Sequence, residues 1–511
     1  MSQTDVVALL ESHEEIVASH SQLTADHEDL RRQLEWLKRQ VFGPKSERRV
    51  PVPGDQLTLG EVNVEALSEA STTPVRSHQR RRSRAPAKAG ASGIRFDPSV
   101  PVKVIQVPNP ELADLPPGSY TTIKEVVTER LVQRPSSFEV HRYVREVVKL
   151  ETGTLSCPPA PPAVLERCLA DVSLLANLVV DKIRYHLPLY RQHQRMAAAG
   201  IHLSRATLTN WFHGTAELLV PIHEAQMASI LESDVLLMDE TPIRAGPGKK
   251  KGRMKTGYFW PVYGDRDEIA FPFASSRSHQ MVVDTLGGYA KTLVSDGYEA
   301  YERYAEKVPG VVHGQCWAHV RRKFVEAEAS EPELCREVLD RIRKLYEHER
   351  TIRTWEDAKR QVYRAEYSRP VVDEIFSKLK QAFKDRILLP QSPFTKAANY
   401  ALERKAALKV FLDHPGVPVD TNALERQIRP VAIGRKNWMF CWTEIGAQYV
   451  GVLQSLVSTC RLQGVDPYTY LVDVLQRVDT HPQSLVRQLT PRLWKIHFAD
   501  DPLRSRGDPR Q

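Results

Sequence analysis

Apolar and polar positions change period several times along this chain, and each change marks a different kind of element. Residues 6–42 repeat every seven: Leu9, Ile16, Leu23, Leu30 and Leu37 form one seam, the pattern of a coiled-coil helix. The companion seam is Val6, His13, His20, His27, Leu34 and Val41. Three histidines at core-type positions pair less well than aliphatic residues. The pattern therefore predicts a homo-oligomer, a marginal dimer through a helix over 1–47, loosened as pH falls toward about 6.5. A helix packed on its own domain is the alternative. Over 48–98, Pro51, Pro53, Pro74 and Pro86 alternate with Ser, Thr and Gly, and no acid stands between Arg76 and Arg95. This reads as a flexible linker whose basic block either tracks phosphates without sequence choice or is a solvated spacer.

Val102–Val107 and Tyr143–Val148 alternate as half-buried strands do, predicting a small strand-rich module over 99–163. Helical periodicity then resumes, and 164–225 reads as a helix-turn-helix domain. Leu189–Ala199 is one helix, Gly200 and Ile201 supply the turn, and Ser204 caps a second helix running to Phe212. Its exposed Arg205, Thr209 and Asn210 suit base edges in a major groove.

From 226 to 475 the pattern becomes strand, strand, strand, helix, strand, helix, strand. The strands are Asp234–Asp239, Gly257–Tyr263, Glu268–Phe273, Thr292–Ser295 and Val311–Cys316, with a helix over Ser278–Gly287. That order predicts an RNase H-like catalytic domain, interrupted by an all-helical insertion at about 326–408 and followed by a C-terminal tail, 476–511. The fold class is multidomain α/β.

Composition narrows the setting. The 511 residues suggest three or four domains, and 41% hydrophobic with 26% charged residues excludes wholesale disorder. The formal net charge of +8 says little by itself. Val172–Val180, the most apolar stretch, is far shorter than the roughly 20 residues of a membrane helix. Asp5, Glu11, Glu14 and Glu15 exclude a secretory signal. The expectation is a soluble cytoplasmic protein with no membrane partner. Its six cysteines include no Cys-x-x-Cys pair and are expected as free thiols in a reducing compartment.

The candidate chemistry lies at strand ends. Neighbouring parallel strands bring Asp239 and Asp296 to adjoining carboxyl ends, where open sheets bind ligands. Two carboxylates so close need a cation, and hard oxygen ligands call for Mg²⁺, with Mn²⁺ as a substitute. A two-ion site needs a third acid. Glu425 is preferred over Glu403 and Asp420, because Arg426, Arg429 and Arg435 beside it suit phosphate contact. Asp420 or Thr421 would cap the helix that carries it. One ion would activate water or a 3′ hydroxyl, and the other would stabilise the leaving oxygen. Arg435 and Lys436 would clamp DNA backbone, while Trp438 either stacks on an unpaired base or is core. Cys316 and His319 offer only two zinc ligands and are read as packing against the site. The run Gly246–Gly252 lacks a Walker ending and is read as a basic hairpin touching DNA.

Several blocks together resemble the transposases of the insertion sequence 66 family. They are Asp239–Pro242, Ser295–Tyr298, Cys316–Phe324, Asn422–Pro430 and Gly434–Trp438, with His186–Arg191 and Leu203–Leu208 upstream. The likeness runs from about Leu34 to about Trp494. It implies a DDE transposase with its acidic triad on Asp239, Asp296 and Glu425. It also implies metal-dependent cutting at transposon ends and strand transfer into double-stranded target DNA, in a bacterial cytoplasm at the nucleoid, with two small accessory proteins of the same element. Two departures stand out. The family's four-cysteine zinc module has only Cys157 here, so no zinc is expected, and Thr421 replaces a common Asn. Two other readings keep the same acids in view: a nuclease or resolvase of the same fold, and a transposase-derived DNA-binding regulator.

Overall fold

The computed structural model describes residues 94–113, 120–134, 137–150, 152–248, 253–385, 388–437 and 439–505, with scattered positions between 13 and 31. Met1–Ala89 and Gly90–Gln511 are separate units. In the first, the described positions, His13, His20, Leu23 and His27 among them, are helical and exposed. The rest of the heptad seam, residues 48–93 of the basic linker and Trp438 lie outside the described residues, while the linker's last residues, 94–98, are described and Arg95–Phe96 form a strand rather than a flexible spacer.

In the second unit, β1 (Arg95–Phe96) precedes a module of β2 (Val102–Val107), β3 (Tyr120–Arg134), β4 (Ser137–Leu150) and β5 (Leu155–Ser156). β3 and β4 pair antiparallel along their whole length, β2 lies parallel to β4, and β5 pairs with β4. The strand expected at Tyr143–Val148 is thus the middle of a much longer one. Its partner β3 escaped the periodicity because lysine, glutamate and arginine interrupt its alternation.

Three helices follow: α1 (Val172–Ile183), α2 (Leu189–Ala198) and, after the short β6 (Ile201–His202), α3 (Arg205–Leu218). Asp171 caps α1 by accepting from the N–H of Ser173 at 2.9 Å, and Ser204 caps α3 by accepting from Thr207 at 3.0 Å. α3 runs past Phe212 to Leu218, because Thr215 and Ala216 continue its buried stripe. Residues 201–202 are not only a turn: they pair antiparallel with β1.

After α4 (Val220–Leu231) comes the sheet that carries the strand-end acids. Its strands are β7 (Val235–Met238), β10 (Val262–Gly264), β11 (Glu268–Ala270), β13 (Thr292–Ser295) and β14 (Val312–Gln315), ordered β11-β10-β7-β13-β14. β7, β13 and β14 are mutually parallel, while β10 and β11 run antiparallel. Leu236 and Met238 face one apolar cluster and Leu237 faces the other. Burial on both faces explains β7's unbroken apolar run. Along the β11 edge, Thr459 and Ser455 accept from the N–H groups of Ile269 and Phe271, at 3.1 and 2.8 Å, so side chains cap what another strand would pair.

The second and third predicted strands are each split. β8 (Thr241–Pro247), β9 (Met254–Phe259) and β12 (Phe273–Ala274) form a separate three-stranded sheet. Pro261 and Pro272 sit at the two breaks, and a proline inside a sheet deletes a ladder donor. Both strands therefore leave the first sheet at the same level and join the second.

α5 (His279–Leu286) and α6 (Glu299–Lys307) cover one face of the main sheet. Helices then dominate: α7 (Trp317–Ala327), α8 (Pro332–Thr351), α9 (Asp357–Tyr363), a π-helical turn (Arg364–Ser368), α10 (Arg369–Asp385), α11 (Pro393–Glu403), α12 (Lys405–Asp413) and α13 (Asn422–Asn437). α14 (Glu444–Leu462) is buried on nearly every side, and a Cβ at Gly451 would collide with the carbonyl of Phe271. Residues 476–505 of the segment read as a tail are packed into the fold. α15 (Pro467–Arg477) and α16 (Pro491–His497) interlock where buried Asp473 accepts from Trp494 Nε1 at 2.8 Å and the N–H of Leu503 at 2.6 Å. Among the described residues no helix is long and apolar enough to cross a membrane.

Candidate active site

Asp239 follows directly on β7 and Asp296 directly on β13. The parallel register pairs Leu237 with Val294, so continuing it by two residues sets the two aspartates side by side. Local hydrogen bonds fix both turns. Asp239 Oδ1 accepts from the N–H of Glu240 at 2.7 Å, and Asp296 Oδ1 accepts from the N–H of Tyr298 at 2.9 Å. The turn after Asp296 is clamped as well. A Cβ at Gly297 would lie 2.6 Å from Arg404 Nε and 2.7 Å from the Tyr400 hydroxyl, so a glycine is what lets these side chains close over it.

Glu240 completes this cluster, and sequence reasoning missed it. One carboxylate oxygen each from Asp239, Glu240 and Asp296 lie within 4.8 Å of one another. Only 5% of the Glu240 side chain is exposed; Tyr301 donates to its Oε2 at 2.9 Å and Arg277 donates to its Oε1. Burial, then the charges of Asp296, Glu240 and Glu425, push the Asp239 carboxyl up to about 8. Glu240 is also raised, first by burial and then by Asp296, and Arg277 opposes the rise. The adjacency of Glu240 to Asp239 was the only available signal, since Arg277 and Tyr301 come far later in the chain.

Glu425 stands in the first turn of α13, whose start is fixed by Asp420 Oδ1 accepting from Asn422 at 2.9 Å. Its nearest company is a second cluster: ligand atoms of Cys316, His319 and Glu425 lie within 4.8 Å of one another. Thr421 joins this group by donating to Cys316 Sγ from both its N–H and its hydroxyl, each at 3.3 Å. Burial lowers the His319 pKa although Asp296 and Glu425 act upward. Five acidic or histidine side chains and one thiol thus form two adjoining groups, linked by the charge of Glu425 on Asp239 and of Asp296 on His319. The first group, all hard oxygens, fits a divalent cation such as Mg²⁺ or Mn²⁺. The second mixes sulfur, nitrogen and oxygen.

Family comparison agrees along the chain. The family described as Transposase IS66 family matches residues 167–449, the IS66 C-terminal element matches 455–491, and the family described as Transposase C of IS166 homeodomain matches 29–104. The chain belongs to the IS66 transposase family. It is similar to the uncharacterized protein y4jD of Sinorhizobium fredii, 32% identical over 463 residues that cover 86% of this chain and 89% of that protein. It is also similar to the uncharacterized protein y4hP of the same organism, 32% identical over 397 residues, covering 73% of this chain and 71% of that protein.

The remaining predicted residues of this IS66-family chain fall in three places. Arg426 and Arg429 are exposed on α13 beyond Glu425, with Lys436 exposed at its far end. Arg435 donates to the Thr241 hydroxyl at 2.7 Å and to the Pro242 carbonyl at 3.2 Å, which brings it to the β8 side of the acids. Arg205 and Asn210 are exposed on α3, but the Thr209 hydroxyl donates back to the Arg205 carbonyl at 3.0 Å. Of the run Gly246–Gly252, Gly246 and Pro247 end β8, which pairs antiparallel with β9, and residues 249–252 lie outside the described residues.

Proposed function

We propose that this chain is a DDE transposase that binds transposon ends and catalyses metal-dependent DNA cleavage and strand transfer. The observation that carries the reading is the convergence of Asp239, Glu240 and Asp296 at adjoining strand ends, with Asp239 pushed up to about 8 by burial and by the neighbouring carboxylates. The strand order supports an RNase H-like catalytic domain: an antiparallel β11-β10-β7 half beside a parallel β7-β13-β14 half. Glu425, whose Oε1 is buried without a hydrogen-bond partner, is the third acid of the triad.

Divalent ions, when bound, supply an activated attacking oxygen and charge stabilisation of the leaving oxygen. The chain's own residues do the rest. Asp239 must give up its proton for the site to load, which couples loading to pH. Arg277 and Tyr301 hold Glu240 in place, and His319 and Arg322 hold Glu425. Arg426, Arg429 and Lys436 contact phosphates of double-stranded DNA and Arg435 contacts DNA backbone beside the acids, while Arg205 and Asn210 reach base edges from the helix-turn-helix. The N-terminal helix dimerises the protein, the 99–163 module folds without zinc, and the protein works at a bacterial nucleoid with two small accessory proteins of its element.

Incubation with labelled element ends, Mg²⁺ and supercoiled target tests the reading. Joined products are expected. Cleavage without joining would mark a nuclease or resolvase, and end binding without chemistry would mark a regulator.

A further inference from the structure

Beside the acids, on the side of the three-stranded sheet, lies an open cleft of about 530 Å³, within the roughly 300–1,000 Å³ of ordinary ligand sites. Its lining includes Arg244, Arg277 and Arg435, together with Glu240, Thr256 and Tyr258. Glu240 belongs to both places: it lines the cleft and is a member of the carboxylate cluster. The cleft is therefore continuous with the candidate active site.

The way these arginines are held is informative. Arg244 Nη1 donates to the Thr256 hydroxyl at 2.7 Å, and Arg435 donates to the Thr241 hydroxyl and the Pro242 carbonyl. All these acceptors are neutral. Among the described residues neither Arg244 nor Arg435 has a carboxylate partner, so each guanidinium is fixed in direction while its charge stays uncompensated. Arg277 is tied to Glu240 and stacks over the Tyr298 ring at 4.1 Å. Pre-positioned guanidinium groups with unused donors match phosphate oxygens. Tyr258 adds an aromatic wall, and cations along a backbone track beside an aromatic ring form the usual platform for an unpaired strand. An unpaired strand also presents free base faces to such a ring, whereas a duplex keeps them stacked.

We infer that the Arg244–Arg277–Arg435 cleft binds the phosphodiester backbone of single-stranded DNA leading out of the active site. This rests on the transposase reading for its biological meaning, but its chemistry is only anion recognition and can be measured alone. A strand whose scissile phosphate lies over Asp239 and Asp296 continues past Glu240 into the cleft, where the arginines offset the repulsion between its phosphates and the acids. Neither Arg244 nor Arg277 stood out in the sequence. Arg244 lies on β8 and Arg277 just ahead of α5, and only the folded sheet brings them to Arg435.

The test uses the full chain in EDTA, so that no chemistry occurs, and follows the anisotropy of a fluorescein-labelled oligothymidylate across a salt series. Each neutralised phosphate of a single strand contributes about 0.7 to the slope of log K against log salt. The double variant Arg244→Ala/Arg435→Ala should therefore bind more weakly, with a slope shallower by about 1.4. Arg244→Lys/Arg435→Lys should recover most of that slope. Both side chains are exposed, and an unchanged thermal melt would verify that the variants fold. An unchanged slope in the alanine variant overturns the assignment. If that happens while the wild type joins ends to target, the transposase reading stands without the cleft. If the slope shifts but the wild type joins nothing, the cleft stands and the transposase reading falls.

Discussion

Glu425 Oε1 lies 3.8 Å from His319 Nε2, and Glu425 Oε2 lies 3.5 Å from Arg322 Nη2. Both contacts are long, and both Glu425 Oε1 and His319 Nδ1 are buried without a hydrogen-bond partner. The carboxylate is oriented, yet its lone pairs are not used up, which suits a group that has a further ligand to take.

Partners of this kind around a metal-ligating side chain typically change metal affinity 10–100-fold. Arg322→Ala and His319→Ala are therefore each expected to weaken Mn²⁺ binding by at least about tenfold, measured by calorimetry on the DNA-free protein. Affinities equal to wild type in both variants would remove Glu425 from the metal centre.

Asp239 makes a prediction about stability. Its carboxyl titrates at about 8 in the fold against an ordinary value of 3.8. The folded state holds a proton that the unfolded chain has released, so this carboxyl's own contribution to metal-free stability falls as pH rises from about 4 to 8. Asp239→Asn removes this penalty. At pH 8 without metal the variant should melt higher than wild type by at least about 2 °C, whereas Mg²⁺ should raise the wild-type melt and leave the variant where it was. The same variant should bind ends and join none.

Some of this was legible in the chain. Leu236, Leu237 and Met238 announce a doubly buried strand, and an aspartate straight after such a strand falls at its carboxyl end. The sheet's division was harder to read, because Pro261 and Pro272 act only through pairing partners. Glu240 shows the limit more sharply. Its partners Arg277 and Tyr301 lie 37 and 61 residues further on, and no local pattern connects them. Arg244 and Arg277 were unreadable for the same reason.

On α3 the structure separates residues that sequence treated alike. The Thr209 hydroxyl is committed to its own helix backbone, while Arg205 and Asn210 project into solvent. Arg205→Ala and Asn210→Ala should each cost about 1–3 kcal/mol in binding the cognate end over unrelated DNA. Thr209→Ala should cost little, as shown by competition binding at fixed salt. A larger loss for Thr209→Ala than for Asn210→Ala would reject this docking face.

Acid should loosen the fold through histidines that are kept neutral. Burial lowers both His223 and His313 to about 4. His223 Nε2 is buried without a partner. His313 Nε2 lies 2.9 Å from Ser295 Oγ, which itself donates to the Asp296 carbonyl at 3.0 Å, so the neutral ring is the donor in that pair. Unfolded, both rings would take a proton near 6.5. Their contribution to stability is complete above that pH and declines as pH falls toward about 4, by up to roughly 1.4 kcal/mol per pH unit for each. Asp239 acts in the opposite sense over this range, so the expected reading is a difference: in urea unfolding at pH 7, 6 and 5, His223→Leu should lose less stability on acidification than wild type. His223 is the cleaner probe, because burial alone shifts it, whereas Glu302 and Asp296 also act on His313. An identical pH slope in wild type and His223→Leu would mean that the buried ring takes up its proton in the folded state as easily as in the unfolded one.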